Sequence, residues 1–388
     1  MKIYSNTTVY QESLSRVERI YSEFDNVLVS SSGGKDSTVI LNLALEVATK
    51  LDRLPVTVVY VDQEAEWDEV SEYFEELQKD DRINLMWFQM PLRMSNNTSN
   101  QDEFLYCWRE EGNWLREKNP HSIHENVYEN DRFYTLFEKI TRHHWPDSTV
   151  AWLTGMRAQE SPKRAEGATT VATYKDITWG KIVDKRRGYY NFHPIYDWEI
   201  SDVWLYIHSN KLLHCEIYNK LYALGVKVVD MRVSNLHHET AIQNLWLVQE
   251  IAPELWAKLV DRIDGVNSCD KLKQDGYSAP KKLPYMFRSW TEYRDYLLDK
   301  LITNPESMEK FLKRFGYQET RFEGMFHKEV LYKAQVKEII RNDTDGVMTK
   351  NFELRPDVRQ WFKFKKYPEQ FVAPAGYKNR FTGHGYEN

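Results

Sequence analysis

The chain reads as an α/β protein on a parallel sheet, with a mainly helical C-terminal extension. Short apolar runs rich in Val, Ile and Tyr alternate with longer stretches of helical periodicity across its first half. Each run ends in a polar or glycine-bearing turn, as buried parallel strands do before a crossover helix. No apolar run approaches the roughly 18 residues of a membrane span. Strands alternating with helices give right-handed crossovers, and such sheets collect ligands at the carboxyl ends of their strands.

Residues 13–24, with Ser13, Leu14, Val17, Ile20, Tyr21 and Phe24, have helical spacing and predict a helix before the first strand. The first strand covers residues 27–31, and Val39, Ile40, Leu43, Ala44 and Val47 then recur on one helical face. A second strand at 55–61 ends at Asp62, a helix follows at 68–79, and a third strand covers 83–88. The fourth, at 150–154, ends at Gly155. Asp62, Gly155 and the turn after the first strand are thereby expected on one rim. The polar cluster at 95–100 marks a loop, and 160–190, rich in Lys, Arg, Gly and Thr, reads as a mobile active-site segment. From 200 to about 259 the pattern is mainly helical. The expected organisation is an N-terminal helix at 1–25, a nucleotide-binding domain at 26–235, a helical segment at 236–285 and an extension at 286–388.

A chain of 388 residues is long enough for one large α/β domain and a further unit. Charged residues at 28% and hydrophobic ones at 41% are ordinary for a globular protein, but thirteen Trp and twenty-four Tyr predict an aromatic-rich core. Cys107, Cys215 and Cys269 are scattered and odd in number, so they make no disulfide framework. The chain is expected in a reducing, cytoplasmic setting, with no membrane partner.

The chemistry is concentrated in Ser32-Gly33-Gly34-Lys35-Asp36-Ser37, between the first strand and its helix. Two glycines let the backbone turn its N–H groups onto phosphate oxygens, and Lys35 adds a point charge. Ser37 and Thr38 fall in the first helical turn, where unpaired N–H groups and the helix dipole favour an anion. The spacing fits neither the Walker A pattern nor the dinucleotide fingerprint. Asp62 can accept from ribose hydroxyls, hold a metal-bound water or cap the next helix. Further on, Gly155-Met156-Arg157-Ala158-Gln159-Glu160-Ser161-Pro162-Lys163-Arg164 brings three cations onto a strand-end loop, where guanidinium groups can neutralise a leaving pyrophosphate.

The first of these stretches resembles the SGGKDS loop of the PP-loop ATP pyrophosphatases, which hold ATP so that its α-phosphate is attacked. Gly155, Arg157, Glu160, Ser161 and Arg164 match the G-x-R-x-x-E-S-x-x-R motif of one branch, the phosphoadenosine phosphosulfate (PAPS) reductase family. His193-Pro194-Ile195, Trp198, Asp202-Val203-Trp204 and Asn219 to Gly225 resemble later motifs of that family, so the likeness covers about residues 26–235. It implies an adenine nucleotide alpha-hydrolase-like (Rossmann-like) domain with ATP and Mg²⁺ as cofactors. Ser31, Ser32, Gly33, Gly34, Ser37, Thr38, Asp62, Gly155, Glu160 and Ser161 would bind nucleotide, and Lys35, Asp36, Arg157 and Arg164 would act in catalysis. His193 reads as a packed or hydrogen-bonded core histidine more than as a catalyst, and Arg164 equally as a solvated cation.

Departures from the family bear on the reaction. The chain ends without the family's C-terminal nucleophilic cysteine, and Met231-Arg232-Val233-Ser234 stands where iron–sulfur members carry CxxC. No iron–sulfur cluster is expected, and adenylation of an acceptor with pyrophosphate release is preferred over sulfonucleotide reduction or nucleotide sensing without turnover. His214, Cys215 and His238 are weak zinc candidates, since the doublets lack zinc-finger spacing. Residues 352–381 interleave Lys and Arg with Trp, Phe and Tyr, a pattern that serves either nucleic-acid binding or packing of an extended arm. The extension and cysteine-free tail resemble the immunoglobulin-binding regulator A-like subgroup, which implies a ParB-like protein partner.

Overall fold

The computed structural model describes residues 6–96, 104–233, 235–237, 245–263, 282–323 and 328–340, with the single positions 266, 343, 344, 346, 353, 358, 359, 362, 365 and 366. They fall into two compact units, one within 1–94 and 106–236, the other within 95–105 and 237–388.

The first unit opens with α1 (Val9–Glu23), which starts four residues before the apolar periodicity does. A capping box accounts for the difference: the Thr8 hydroxyl accepts the Gln11 N–H at 3.2 Å, and the Gln11 side chain accepts the Thr8 N–H at 3.0 Å. β1 (Asn26–Ser30), α2 (Lys35–Lys50), β2 (Val56–Val61), α3 (Asp68–Leu77) and β3 (Ile83–Phe88) follow in the expected alternation. Two short strands, β4 (Leu92–Ser95) and β5 (Phe104–Cys107), lie outside the main sheet. The chain then forms α4 (Phe133–His144), β6 (Val150–Leu153), α5 (Pro162–Thr169), β7 (Gly180–Asp184), β8 (Tyr189–Phe192), α6 (Ile200–Ser209) and α7 (Ile217–Ala223).

The six-stranded sheet runs β3-β2-β1-β6-β8-β7, parallel except for β7 at one edge. Val29 of β1 sits between Val58 of β2 and Leu153 of β6, and all three are fully buried. Burial on both faces explains why these strands read as unbroken apolar runs. From β1 the chain moves to β2 on one side, while β6 arrives on the other. The strand order thus reverses between β1 and β6, and open α/β sheets bind ligands outside the carboxyl ends of their strands at such a point.

The segment 160–190 is not the irregular loop its composition predicts. Ser161 caps α5 by accepting the Arg164 N–H, with Pro162 at the first helical position, and β7 pairs antiparallel with β8. Both elements are too short to show a period in a polar sequence.

The second unit contains α8 (Leu245–Ile251), α9 (Pro253–Arg262), α10 (Trp290–Leu301), α11 (Pro305–Arg321) and α12 (Glu329–Ile340). Trp290, Leu297, Phe311, Phe315, Val336 and Ile339 make one of its cores. Arg294 is buried there, where it ion-pairs with Glu319 and donates to Gln335 Oε1 at 2.9 Å. Only six positions of the basic and aromatic stretch 352–381 are described. Of these, Val358 and Phe362 pack with Phe322 and Leu331, as the packing alternative expects at those two positions. Among the described residues no helix is long and apolar enough to cross a membrane.

Candidate nucleotide-binding site

The turn after β1 is held in shape from within. Gly33 has φ +70°, and a side chain there would stand 3.0 Å from Val70 Cγ1, so glycine meets both a backbone and a space requirement. Ser37 Oγ donates to Gly34 O at 2.8 Å, and the Lys35 N–H donates to Tyr218 Oη at 3.1 Å. Tyr218 comes from α7, so a buried phenol secures the start of α2. A neutral phenol is assured, because burial pushes the Tyr218 pKa well above its usual range.

Gly155, just past β6, carries the second steric condition. A Cβ there would lie 2.6 Å from the Asp36 carbonyl carbon and 2.8 Å from Ser37 N. Gly155, expected among the nucleotide-binding residues, allows the close approach of the β6 turn to the first turn of α2.

That approach brings the charged side chains together. Arg157 Nε donates to Asp36 Oδ1 at 2.6 Å, and Lys35 Nζ lies 3.2 Å from Asp36 Oδ2. Arg157 also donates to Gln159 Oε1 at 3.0 Å, which fixes its guanidinium. Lys35 is buried, with Nζ donating to Met231 O at 3.3 Å and lying over the Tyr218 ring. Burial pulls its pKa down, and Asp36 opposes that shift. Arg164 is exposed and ion-paired with Glu160, and its pKa is lowered by burial and then by the neighbouring Arg232 charge. Lys35 feels Arg232 as well. Lys35, Arg157, Arg164 and Arg232 thus form a cationic group against two carboxylates, Asp36 and Glu160.

Several expected ligand groups are engaged elsewhere. Thr38 is fully buried and its hydroxyl bonds with Tyr73 Oη at 3.0 Å. Ser161 spends its hydroxyl on the α5 cap and Glu160 on Arg164, whereas Ser32 is exposed and Ser31 Oγ donates to Ser37 Oγ at 3.4 Å. Asp62 departs furthest from expectation. It is fully buried, and its carboxylate accepts from Arg116 Nη2 at 2.7 Å, Trp87 Nε1 at 3.1 Å, Gln89 Nε2 at 2.9 Å and the Glu64 N–H at 2.9 Å. With its lone pairs taken, it has no oxygen to offer a ribose or a metal-bound water.

The same test applies to magnesium, which is ordinarily held by one or two carboxylates beside the phosphates. Asp36 is shared between Arg157 and Lys35, and Asp62 is enclosed, so these two residues do not fit a magnesium ligand set. For zinc, the described residues contain no group of three or more His, Cys, Asp or Glu that could hold an ion. Burial pushes the Cys215 thiol up to about 12, His214 Nδ1 bonds to Leu212 O at 3.2 Å, and His238 lies outside the described residues.

His193, past the end of β8, bonds through Nδ1 to Thr154 Oγ1 at 2.6 Å. Burial lowers its pKa to about 4, helped by Lys181 and Arg164, so the ring is neutral at ordinary pH. Sequence reasoning missed Tyr218, Arg116 and Arg232. Arg232 had a signal, because Met231-Arg232-Val233-Ser234 was already recognised as the replacement for a cysteine pair.

Residues 26–225 match the phosphoadenosine phosphosulfate reductase domain, and residues 225–372 match a domain of unknown function (DUF3440). The chain is 28% identical over 316 residues to the uncharacterized protein YbdN of Escherichia coli (strain K12), covering 77% of each. It is also 36% identical over 75 residues to the adenosine 5′-phosphosulfate reductase of Neisseria meningitidis serogroup A, covering 19% of this chain and 25% of that protein. Among solved structures, the Candida glabrata FMN adenylyltransferase complex with FMN and the ATP analog AMPCPP overlaps 61% of this chain and 66% of its own at a TM-score of 0.36 and 14% identity. With the glycine turn, the β6 turn and the parallel sheet that joins them all inside the matched residues, this chain belongs to the phosphoadenosine phosphosulfate reductase domain family.

Proposed function

We propose that the protein binds ATP at the turn after β1 and transfers its adenylyl group to an acceptor. An acceptor oxygen forms a bond to the α-phosphorus, the bridge to the β-phosphate breaks, and pyrophosphate leaves with that electron pair. The observation that carries this reading is the convergence of Lys35, Arg157 and Arg164 on the glycine turn, where positive charge exceeds the carboxylates facing it. Cations fixed beside a phosphate chain stabilise the charge that grows on the leaving group, and no protein nucleophile is required. Arg157 is held by Asp36 and Gln159, so little reorganisation remains when phosphate binds. The first turn of α2 adds N–H groups and the dipole.

Sulfonucleotide reduction is the second reading, favoured by the 75-residue likeness to an adenosine 5′-phosphosulfate reductase. The two described thiols argue against it. Cys107 donates to Gln63 O from a buried position, and Cys215 is buried with a raised pKa, whereas a nucleophilic cysteine needs an accessible thiolate.

Calorimetry with ATP tests the reading, followed by pyrophosphate release with candidate oxygen acceptors, a nucleic-acid base carbonyl among them. Lys35→Ala and Arg157→Ala are each expected to weaken ATP binding about 10- to 100-fold, the worth of a charged hydrogen bond of about 1.5–3 kcal/mol. ATP affinity unchanged in both variants rejects the site. Mass spectrometry of nucleotide that co-purifies with the protein separates an adenylate product from a sulfonucleotide.

A further inference from the structure

The stretch that follows α7 is tied to the turns after β1 and β2 on either side of Arg232. Met231 O accepts from Lys35 Nζ at 3.3 Å, and the Lys35 ammonium lies over the ring of Tyr218, the phenol that receives the Lys35 N–H. Asn235 donates to the Gln63 side chain, and the Leu236 N–H donates to Ala65 O at 2.7 Å. Met231 and Leu236 are buried, while Arg232, between two such anchors, is exposed. The backbone that carries Arg232 is therefore fixed one residue from the Lys35 ammonium.

Three of the four cations at this place have an anionic partner: Lys35 and Arg157 share Asp36, and Arg164 has Glu160. Among the described residues Arg232 has no hydrogen-bond or ion-pair partner, yet it lies close enough to weaken the protonation of both Lys35 and Arg164. Surfaces ordinarily interleave charges of opposite sign, because like charges in one patch repel. A guanidinium on a braced backbone, next in sequence to the residue that holds the Lys35 ammonium, is complementary to an oxyanion that accepts from it bidentately.

We propose that Arg232 is a polyphosphate-binding residue, which completes the phosphate site with a guanidinium from the segment beyond α7. The assignment rests on the ATP reading above and extends it. It also gives the Met231-Arg232-Val233-Ser234 sequence a function of its own, since the position that carries thiols in iron–sulfur relatives here carries a phosphate contact. Lys35 can then exchange its bond to the Met231 carbonyl for one to a phosphate oxygen without leaving the site.

The test is calorimetry on the full chain with ATP, pyrophosphate and AMP, comparing wild type with Arg232→Ala and Arg232→Lys. Arg232→Ala is expected to lose about 10-fold in affinity for ATP and for pyrophosphate and less than about twofold for AMP, with Arg232→Lys in between. Because Arg232 is exposed, the melting temperature without ligand should stay at the wild-type value. Affinities for ATP and pyrophosphate in Arg232→Ala within twofold of wild type overturn the assignment of Arg232, provided wild type binds them and Lys35→Ala weakens that binding by about 10-fold or more. An equal loss for AMP also overturns it, because the contact would then not be to the outer phosphates. If wild type binds neither ATP nor pyrophosphate, the ATP reading falls and takes this inference with it.

Discussion

The turns after β1 and β2 leave the same edge of the same sheet, and each is crowded with charge, yet they use that charge in opposite ways. Around the turn after β1, Lys35, Arg157, Arg164 and Arg232, drawn from three segments, outnumber Asp36 and Glu160, and Arg164 and Arg232 are exposed. Beyond β2, Asp62, Glu64 and Glu66 are buried around Arg116, and each carboxylate accepts hydrogen bonds: Arg116 Nη2 donates to Asp62 at 2.7 Å, Tyr60 Oη to Glu66 Oε2 at 2.5 Å, and the Trp108 N–H to Glu64 Oε2 at 2.8 Å. A buried charge must be paired or neutralised, because desolvation costs more than solvent-exposed pairing returns. The second turn is therefore a structural knot, whereas the first keeps positive charge for a ligand. Sequence position on the rim did not separate them; the state of the charges did.

The largest expected effect tests the knot. Arg116→Ala leaves the Asp62 carboxylate buried without its cation and should destabilise the fold by about 3–5 kcal/mol in urea unfolding. A loss below about 1 kcal/mol would mean that Asp62 is solvated and free to serve a ligand, erasing the contrast between the two turns. Glu66 sharpens the same point through pH. Burial, with Asp62 next, raises its pKa from 4.5 to about 7, so the folded state binds a proton more tightly than the unfolded chain does. Its contribution is then fully present below about 4.5 and is lost as pH rises through about 7, so stability should fall between pH 5 and 8 by roughly 1–3 kcal/mol. Glu66→Gln keeps the bond from Tyr60 and should flatten that part of the profile. An unchanged slope in the variant assigns the pH dependence to other groups.

The smallest effect belongs to the first turn. Tyr218→Phe removes the oxygen that accepts the Lys35 N–H and should cost about 1–2 kcal/mol of stability, with a few-fold loss of ATP affinity. If stability drops while affinity holds, the phenol supports the fold without shaping the phosphate site.

Much of this molecule was legible beforehand. β3 lies at residues 83–88 as expected, β2 differs by one residue at its start, and the glycine turn opens α2 where the apolar spacing changes from strand to helix. These features are local, because a strand's apolar run and a turn's glycine requirement are written in neighbouring residues. What the tertiary structure alone decided are pairings between distant positions: Asp62 with Arg116, Lys35 with Met231, and Gly155 with the backbone of Asp36. A carboxylate looks the same in sequence whether it faces water or an arginine fifty-four positions away. Only packing brings partners to hydrogen-bond distance and excludes the solvent, and that exclusion is what divides a buried structural acid from an open binding charge.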